Sequence, residues 1–467
     1  MDQINNVLLP VVQKINGFLA DYILVFLLVG AGVFFTIKTG FVQRYLVQGL
    51  KSIFGNMSLK GGKQEGGMSS FQAVATAIAA QVGTGNLVGA AGAILTGGPG
   101  AIFWMWVIAF LGMATIYVEA VLAQHTRIKA ENGEIMGGPV YYITHAFKGK
   151  FGKFLAGFFA IAITLALGFF GCMVQSNSIG STINTAFGIP SWIAGLVLVA
   201  ICALIFLGGT QRLASVTEKL VPIMAAMFLL GGLVVLGARV RYLPETFLLI
   251  VKYAFTPQAI IGGTFGAALK TAISQGAKRG LFSNEAGMGS TPHAHALANV
   301  KTPHEQGAVA MAGVYIDTFA VLTLNALVII STLYAGNGPL AGTGAAAHTA
   351  LTKTNLAQTA FGVVYGEKFG AIFVAVSLFF FAFSTILGWN LFGKINVNYL
   401  FGKKGILIYT LLSLVFIFLG TVMSSDLVWE LTDTANYLMV LPNIIGLLGC
   451  ANLAKSWIPK KEKKNKK

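Results

Sequence analysis

Long apolar stretches, separated by short polar segments, are the main pattern along the chain. A helix needs about 20 mostly apolar residues to cross a bilayer. Eleven stretches meet this requirement, and they are residues 17–36, 69–95, 100–124, 153–183, 191–208, 219–238, 264–299, 308–334, 367–391, 404–422 and 427–454. The pattern predicts an all-α polytopic membrane protein with about 11 transmembrane helices. Residues 243–260 predict a further short helix at the surface.

Composition agrees with a location in the bilayer. Hydrophobic residues make up 55% of the 467 residues and charged residues only 10%, whereas a soluble domain carries about 25% charged residues. This composition excludes a large soluble protein. The 57 glycines favour closely packed membrane helices, because small residues let helix backbones approach each other.

The net charge of +16 indicates an orientation in the membrane rather than nucleic-acid binding. If the N-terminus is outside, most lysines and arginines fall in the inner loops, as they do in membrane proteins generally. The charges therefore predict a multi-pass protein with the N-terminus outside and the C-terminus in the cytoplasm, in what we expect to be a bacterial inner membrane. Residues 456–467 predict a basic cytoplasmic tail. The start of the chain lacks the basic region of a signal peptide, so we expect the first apolar segment to be retained.

Two of the predicted spans contain residues that are poor helix formers at the membrane centre. Residues 79–89 read AAQVGTGNLVG, and residues 280–290 read GLFSNEAGMGS. Non-helical backbone at membrane depth is tolerated only where it is buried in protein or lines a cavity. The two segments therefore predict broken helices. The alternative is that their glycines only permit tight helix packing.

The spacing of the two breaks predicts an internal symmetry. They lie five spans apart, so their helices cross the membrane in opposite directions. An inverted repeat of five helices plus five has this property. We therefore predict one repeat over 69–240 and a second over 241–455, preceded by a peripheral helix and cytoplasmic linker over 1–68.

A broken helix exposes main-chain groups that bind ions. The helix that ends before Gly83 presents free carbonyls and a partial negative charge, and the helix that resumes after Gly85 presents free N–H groups and a partial positive charge. A small zwitterion together with a cation would use both ends.

These segments resemble the alanine/glycine:cation symporter family. The most specific pieces are residues 81–86 (QVGTGN), 137–139 (GGP) and 279–290 (RGLFSNEAGMGS), and the resemblance covers nearly the whole chain. It implies a LeuT-like fold and the sodium- or proton-coupled uptake of alanine or glycine, with Na⁺ as the coupling ion and no cofactor.

The resemblance also implies a substrate site. In LeuT-like symporters, N–H groups at the first break hold the substrate carboxylate, and a hydroxyl and carbonyls receive its ammonium. Carried over to this sequence, the site residues are Gly83, Thr84, Gly85, Asn86, Gln175, Phe282, Ser283, Met288 and Trp389. For Gln175, an interhelical hydrogen bond is an equal alternative to substrate contact. For Trp389, the equal alternative is an anchoring role at the membrane interface.

A sodium site follows from the same likeness. Sodium is a hard cation that prefers oxygen ligands. The predicted ligands are the carbonyls of Ala79, Val82 and Phe381 and the hydroxyls of Ser384 and Thr385. The alternative for the two hydroxyls is a hydrogen bond to a carbonyl one turn earlier in their own helix.

Glu119, Asp317 and Glu285 are carboxylates within or near predicted spans, where such groups are costly. We place Glu119 and Asp317 towards the cytoplasmic ends of their spans, in structural pairing or gating. Glu285 lies in the second break, and we expect it to pair with Lys278 or Arg279 rather than to attract the substrate ammonium.

The sequence gives little support to other functions. His293 and His295 are two residues apart and point to different sides of a helix, so a shared metal is not expected. Cys172, Cys202 and Cys450 lack metal or disulfide spacing and are interpreted as packing residues. Motifs for ATP-driven transport or hydrolysis are not visible. A membrane enzyme using Glu285 with His293, a channel, and an H⁺-coupled or serine transporter remain the alternatives.

Overall fold

The computed structural model describes residues 2–55, 68, 70–129, 135–256, 265–342 and 351–459. Much of the predicted cytoplasmic linker and of the predicted basic tail lies outside these residues. In the first half of the chain, the α-helices are α1 Asp2–Phe18, α2 Val25–Lys38, α3 Leu46–Gly55, α4 Ser70–Gln81, α5 Ala90–Gly97, α6 Ala101–Thr126, α7 Pro139–Ala146, α8 Gly149–Ile163, α9 Cys172–Phe187, α10 Ser191–Phe206 and α11 Gly209–Ala238.

The second half of the chain is also mainly helical. Its helices are α12 Leu243–Phe255, α13 Phe265–Asn284, α14 Pro292–Leu297, α15 Pro303–Val314, α16 Thr323–Ile329, α17 Leu356–Tyr365, α18 Glu367–Phe401, α19 Lys403–Val422, α20 Ser425–Gly449 and α21 Ala451–Ser456. A two-stranded antiparallel hairpin, β1 Ile128–Lys129 and β2 Ile135–Met136, follows α6. Short 3₁₀ turns occur at Val42–Tyr45 and Val240–Tyr242.

Several long helices contain a wider, π-helical stretch. These stretches are Leu19–Leu24, Gly85–Gly89, Thr164–Gly171, Tyr315–Leu322 and Ile330–Tyr334. π-Helical segments are rare and occur frequently at functional sites. They join consecutive helices into longer ones, so that α8 and α9 form one helix, Gly149–Phe187, and α15 and α16 form another, Pro303–Tyr334.

Helix ends follow local sequence signals. Pro139, Pro292 and Pro303 each stand in the first turn of a helix, where a missing N–H costs nothing. Gly188 follows α9 with φ +69°. A left-handed residue at this position closes the last helical turn, and glycine adopts it without strain.

Eight of the described helices are long and apolar enough to cross a membrane. They are Val7–Lys38, Phe71–Gly97, Ala101–Thr126, Gly149–Phe187, Gly209–Ala238, Pro303–Tyr334, Glu367–Phe401 and Lys403–Val422. Each contains one of the predicted spans or most of it. The other three predictions fall on the shorter helix α10, on the interrupted pair α13 and α14, and on α20 with α21. The all-α membrane architecture is thus confirmed, while the number eleven stays a prediction.

The helices pack in two groups around the breaks. Helices α4, α5, α6, α13 and α15 contact one another, and helices α9, α10, α18 and α19 form the second group. Helix α18 also packs on α4, and α11 contacts both α4 and α18. The two groups therefore meet along the first broken helix. The repeat boundaries at 240 and 241 stay a prediction.

One main-chain bond joins the ends of the two broken helices. The N–H of Met68, two residues before α4, donates to the Leu297 carbonyl at the end of α14 over 3.2 Å. Met68 and Leu297 also line a cavity of about 670 Å³ that extends to the ends of α18 and α19. The start of the first broken helix and the end of the second are thus linked by a main-chain hydrogen bond.

Close backbone approach gives a test of the packing. A Cβ at Gly100 would overlap the main chain of Tyr253, whereas a Cβ at Gly30 would have no atom within 4 Å. We expect Gly100→Ala to lower the thermal unfolding midpoint in detergent, because overpacking costs about 1–3 kcal/mol. Gly30→Ala is the matched control and should leave the midpoint unchanged. Equal midpoints for both variants would contradict the packing of α12 on α6.

Candidate functional site

The first interruption lies at Val82 and Gly83, and the helix resumes at Thr84. The last bond of the preceding helix joins the Val82 N–H to the Ile78 carbonyl at 2.8 Å. The side chain of Asn86 then reaches back to accept the N–H of Gly83 at 2.9 Å, as the N3 residue of a capping box does. The predicted break is therefore present, and the end of α4 leaves carbonyls without intrahelical partners.

Gln175 reaches this break from α9. Its Oε1 accepts the N–H of Thr84 at 3.2 Å, so the interhelical hydrogen bond foreseen for it is present. Contact with a substrate stays a prediction. The Thr84 hydroxyl is buried and has no hydrogen-bond partner among the residues that the structure describes. Because an unsatisfied buried polar atom is costly, this hydroxyl is a candidate for binding a ligand.

The second interruption begins later than predicted. Helix α13 continues to Asn284, and the non-helical segment covers residues 285–291. The prediction of a break from residue 280 is therefore wrong in its first part. Gly280 lies against Met105 and Ile108 of α6, so this glycine serves helix packing. The helix ends because the Asn284 side chain accepts the N–H of Ala286 at 3.0 Å, which favours a turn.

Left-handed backbone makes the second break possible. Gly287 has φ +95° and Gly289 has φ +80°, and glycine adopts such angles freely. Glu285 has φ +58°, which costs about 1–3 kcal/mol for a residue with a side chain. The segment is therefore held in place by its surroundings.

Glu119 on α6 supplies part of that support. Its Oε2 accepts the N–H of Gly287 at 3.1 Å, and its Oε1 accepts the N–H of Gly289 at 2.9 Å. Asn443 of α20 donates to the same Oε1 at 2.6 Å and to the Gly287 carbonyl at 2.9 Å; its own amide oxygen accepts the hydroxyl of Tyr142. The carboxylate replaces helix bonds that the break loses, so its structural role is to bind main chain at the break.

The two breaks meet each other directly. A Cβ at Gly85 would lie 2.8 Å from the Cα of Ser283, so only glycine permits this approach. Gln81 at the end of α4 donates to the Asn284 carbonyl at the end of α13 over 2.8 Å. Two helix termini, with their exposed dipoles, thus lie side by side in the buried interior.

Asp317 is the second carboxylate at this junction. It lies in the π-helical stretch Tyr315–Leu322 and accepts the Asn86 side chain at 2.6 Å and the Ser283 hydroxyl at 3.0 Å. Thr318 also donates to it, at 2.8 Å. Its predicted place near the cytoplasmic end of its span is wrong, because it contacts both breaks.

The five oxygens predicted to hold sodium converge beside the first break. Thr385 Oγ1 lies 2.9 Å from the Ala79 carbonyl, 3.4 Å from that of Val82 and 3.0 Å from that of Phe381. Ser384 Oγ lies 2.9 Å from the Phe381 carbonyl and 3.5 Å from that of Ala79.

Both hydroxyls lie within hydrogen-bond distance of the Phe381 carbonyl one turn earlier in their own helix, as the alternative expected. The Thr385 hydroxyl also approaches the Ala79 and Val82 carbonyls of the first broken helix. A hydroxyl has one proton to donate, so the Thr385 hydroxyl satisfies one of its three neighbouring carbonyls at a time. The remaining lone pairs face one another in a buried space, which suits a small cation. Gly83 permits the approach, because a Cβ there would collide with the Thr385 hydroxyl.

Aromatic side chains enclose the other side of the junction. Trp389 is 1% exposed and meets the ring of Phe282 edge-on, with centroids 5.6 Å apart. Its burial contradicts the alternative role as an interfacial anchor. Trp389 Nε1 donates to Glu285 Oε1 at 2.5 Å, and the Ser290 hydroxyl donates to Glu285 Oε2. Met288 is fully buried in the same segment; its predicted wall position stays a prediction.

Neither Lys278 nor Arg279 forms an ion pair with Glu285 among the described residues, so the expected pairing is wrong. The Arg279 guanidinium forms an ion pair with Asp433 of α20, at 2.8 Å, and lies over the ring of Trp429 at 4.6 Å. Lys353 approaches the same ring at 5.4 Å. Trp429 in turn packs on Phe282, with centroids 4.8 Å apart. Arg279, Asp433 and Trp429 thus form a layer of charged and aromatic groups that packs on Phe282 at the junction.

The two histidines of the short helix α14 bind different neighbours. His293 Nδ1 lies 2.7 Å from the Ser290 carbonyl and its Nε2 lies 2.8 Å from the Asn396 amide nitrogen. His295 Nδ1 contacts Gln306 at 2.7 Å. The described part of the chain contains no group of three or more His, Cys, Asp or Glu side chains placed to hold a metal.

Several residues of the site carry weak sequence signals. Asn325, which donates to the carbonyls of Asn86 and Leu87, is visible only as a polar residue in an apolar span. Asp433 carries the same signal as Glu119, a carboxylate within a predicted span, whereas Trp429 has no signal that separates it from other residues near a span end. Their roles depend on a contact between α13 and α20 that sequence periodicity does not specify.

Comparison with known proteins decides the family. A profile of the sodium:alanine symporter family matches residues 5–467. The chain belongs to the sodium:alanine symporter family. This confirms the resemblance carried by the motifs around the two breaks. The protein is accordingly a multi-pass membrane transporter and not an enzyme.

Individual relatives within this family differ in their named substrates. The sodium/alanine symporter AgcS of Methanococcus maripaludis is 40% identical over 439 residues, covering 94% of this chain and 93% of AgcS. The probable sodium/glutamine symporter GlnT of Bacillus subtilis is 36% identical over 434 residues, covering 92% of this chain and 86% of GlnT. Family membership therefore leaves the amino acid open.

A solved structure confirms the LeuT-like fold. MhsT in complex with L-phenylalanine aligns with a TM-score of 0.57 at 15% identity, over 82% of this chain and 89% of MhsT. At this identity the likeness concerns the fold alone.

The role of Glu119 gives a prediction for this family member. In Glu119→Gln an amide NH₂ would face a main-chain N–H, leaving buried donors unpaired at a cost of about 1–3 kcal/mol. We expect a lower thermal midpoint for the purified protein. Glu367→Gln, at an exposed position, is the control and should not move the midpoint. An unchanged midpoint in Glu119→Gln would show that the carboxylate does not support the break.

Proposed function

We propose that this transporter imports a small neutral amino acid, alanine or glycine, together with Na⁺. The observation that carries the proposal is the contact between Gly85 and Ser283, which brings two interrupted helices together next to a cluster of five oxygens. Exposed main-chain dipoles at such a junction replace the water around a zwitterion and a cation.

The substrate would bind between the two breaks. The main-chain N–H groups of Thr84 and Gly85 are proposed to receive the carboxylate, with the unpaired Thr84 hydroxyl beside them. Ser283 and carbonyls near Phe282 are proposed to receive the ammonium. Phe282, Met288 and Trp389 would enclose the side chain, and their bulk favours a small one over glutamine.

Sodium would bind at the carbonyls of Ala79, Val82 and Phe381 and the hydroxyls of Ser384 and Thr385. These ligands belong to two elements, α4 with its break and α18. An ion at this position would therefore tie the first broken helix to the second helix group, which couples ion binding to the shape of the substrate site. H⁺ coupling and serine transport are the alternatives.

Transport would proceed by alternating access between the two sides of an inner membrane. The proposed orientation has the N-terminus outside and the C-terminus in the cytoplasm. The layer formed by Arg279, Asp433 and Trp429 then faces outward, and α14 faces inward. The two proposed repeats, 69–240 and 241–455, would each contribute one broken helix.

Uptake into proteoliposomes tests the proposal. Labelled alanine should accumulate only with an inward sodium gradient, and unlabelled alanine and glycine should compete better than all larger amino acids. Accumulation driven equally well by a proton gradient without sodium would contradict the coupling, and competition by glutamine alone would contradict the substrate.

The sodium ligands can be tested separately. Thr385→Val keeps the shape of the side chain and removes one ligand oxygen, so we expect the half-saturating sodium concentration to rise about tenfold, equivalent to about 1.4 kcal/mol. Thr182→Val is the matched control, because that buried hydroxyl bonds only within α9, to the Ser178 and Ile179 carbonyls. A rise in both variants, or in neither, would remove the support for the site at Thr385.

A further inference from the structure

Glu285 occupies a backbone position that glycine would fill with less strain. Among the described residues, Phe41 and Glu285 alone are non-glycine residues with positive φ. Gly287 and Gly289, nearby in the same segment, also have positive φ but are glycines. A strained residue that persists next to a binding site indicates that its side chain has a function there.

The side-chain oxygens of Glu285 accept hydrogen bonds from two neutral donors. Trp389 Nε1 donates to one oxygen at 2.5 Å and the Ser290 hydroxyl to the other. Glu285 is fully buried, and no lysine or arginine forms an ion pair with it in the part of the chain that the structure covers. Both carboxyl oxygens are therefore engaged, and one of them holds the indole N–H.

The indole ring is confined from two further directions. Phe282 contacts it edge-on at a centroid distance of 5.6 Å. Gly171, at the end of a π-helical stretch, lies so close that a Cβ there would be 2.6 Å from Trp389 Cζ3. Trp389 also stands one turn beyond Thr385 on α18.

We propose that Glu285 is a positioning residue that sets the size of the substrate side chain. By holding the indole N–H, it fixes Trp389 against the junction of the two breaks and leaves room for a hydrogen atom or a methyl group. This inference rests on the proposed function and adds to it a determinant of specificity. The substrate class is amino acids with no more than one carbon in the side chain.

The bond also joins parts that belong to different helix groups. Glu285 lies in the second broken helix, and Trp389 lies on α18. The bond therefore holds α18 against the second broken helix, with the indole at the junction. Exclusion by one methylene typically amounts to about 10- to 200-fold.

Three variants test the Glu285 carboxylate, the strained backbone at Glu285 and the Trp389 indole N–H one at a time. Glu285→Gly removes the carboxylate and relieves the strained backbone, Glu285→Gln keeps an acceptor oxygen, and Trp389→Phe keeps an aromatic ring without its N–H. The readout is inhibition of labelled alanine uptake in proteoliposomes by glycine, serine, valine, leucine and glutamine, together with the half-saturating sodium concentration.

We expect Glu285→Gly and Trp389→Phe to lower the inhibition constants of valine and leucine at least tenfold. Glu285→Gln should stay close to the wild type. The half-saturating sodium concentration should change less than twofold in each. Glu285→Gly combined with Trp389→Phe should produce no further shift, because both changes remove the same bond. Gly171→Ala should act in the opposite direction and favour glycine over alanine, since the new methyl group presses the indole into the site.

Trp106→Phe is the matched control, because Trp106 donates its indole N–H to Thr323 at 2.8 Å, away from the junction. It should leave all inhibition constants unchanged. Wild-type selectivity in both Glu285→Gly and Trp389→Phe, or additive shifts in their combination, would overturn the inference. The wild type alone decides the proposed function: uptake of only a large amino acid would contradict both proposals, whereas small-substrate uptake with unaltered variants would contradict this one.

Discussion

Every main-chain N–H and carbonyl inside a membrane needs a partner within the protein, and the centre of this molecule is organised by that requirement. Two helices stop within the buried interior, at Gly83 and after Asn284. The groups that they expose are matched by side chains from surrounding helices: Asn86 and Gln175 at the first break and Glu119 at the second. The polar residues of the apolar spans are therefore concentrated where the backbone is irregular.

The sequence was informative about the breaks because several glycines cluster there with an asparagine, and both residue types are poor helix formers. The pattern at residues 83–86 predicted the first interruption, although the helix resumes at Thr84 and not after Gly85. It could not locate the second as well, since Gly280 looks like Gly287 in the sequence. Gly280 packs against α6, whereas Gly287 has a positive φ, and this difference arises only from tertiary contacts.

The partners of the charged residues were the least predictable part. Arg279 and Glu285 are close in sequence and opposite in charge, which favoured a local pair. In the folded chain they lie on either side of a helix end and face different neighbours, Asp433 and Trp389. Such choices depend on which distant helices come together, and periodicity within one segment carries no information about them. The hydroxyls of Ser384 and Thr385 were predictable only through the likeness to other symporters.

The bond between Met68 and Leu297 is formed entirely by main-chain atoms. Most substitutions of either side chain leave the main-chain donor and acceptor in place, so this hydrogen bond is insensitive to most amino-acid changes at the two positions. It also stands at the wall of a cavity of about 670 Å³. Separating the two segments of backbone would open the cavity wall at one edge, while the bond from Gln81 to the Asn284 carbonyl would still hold the two helix ends together.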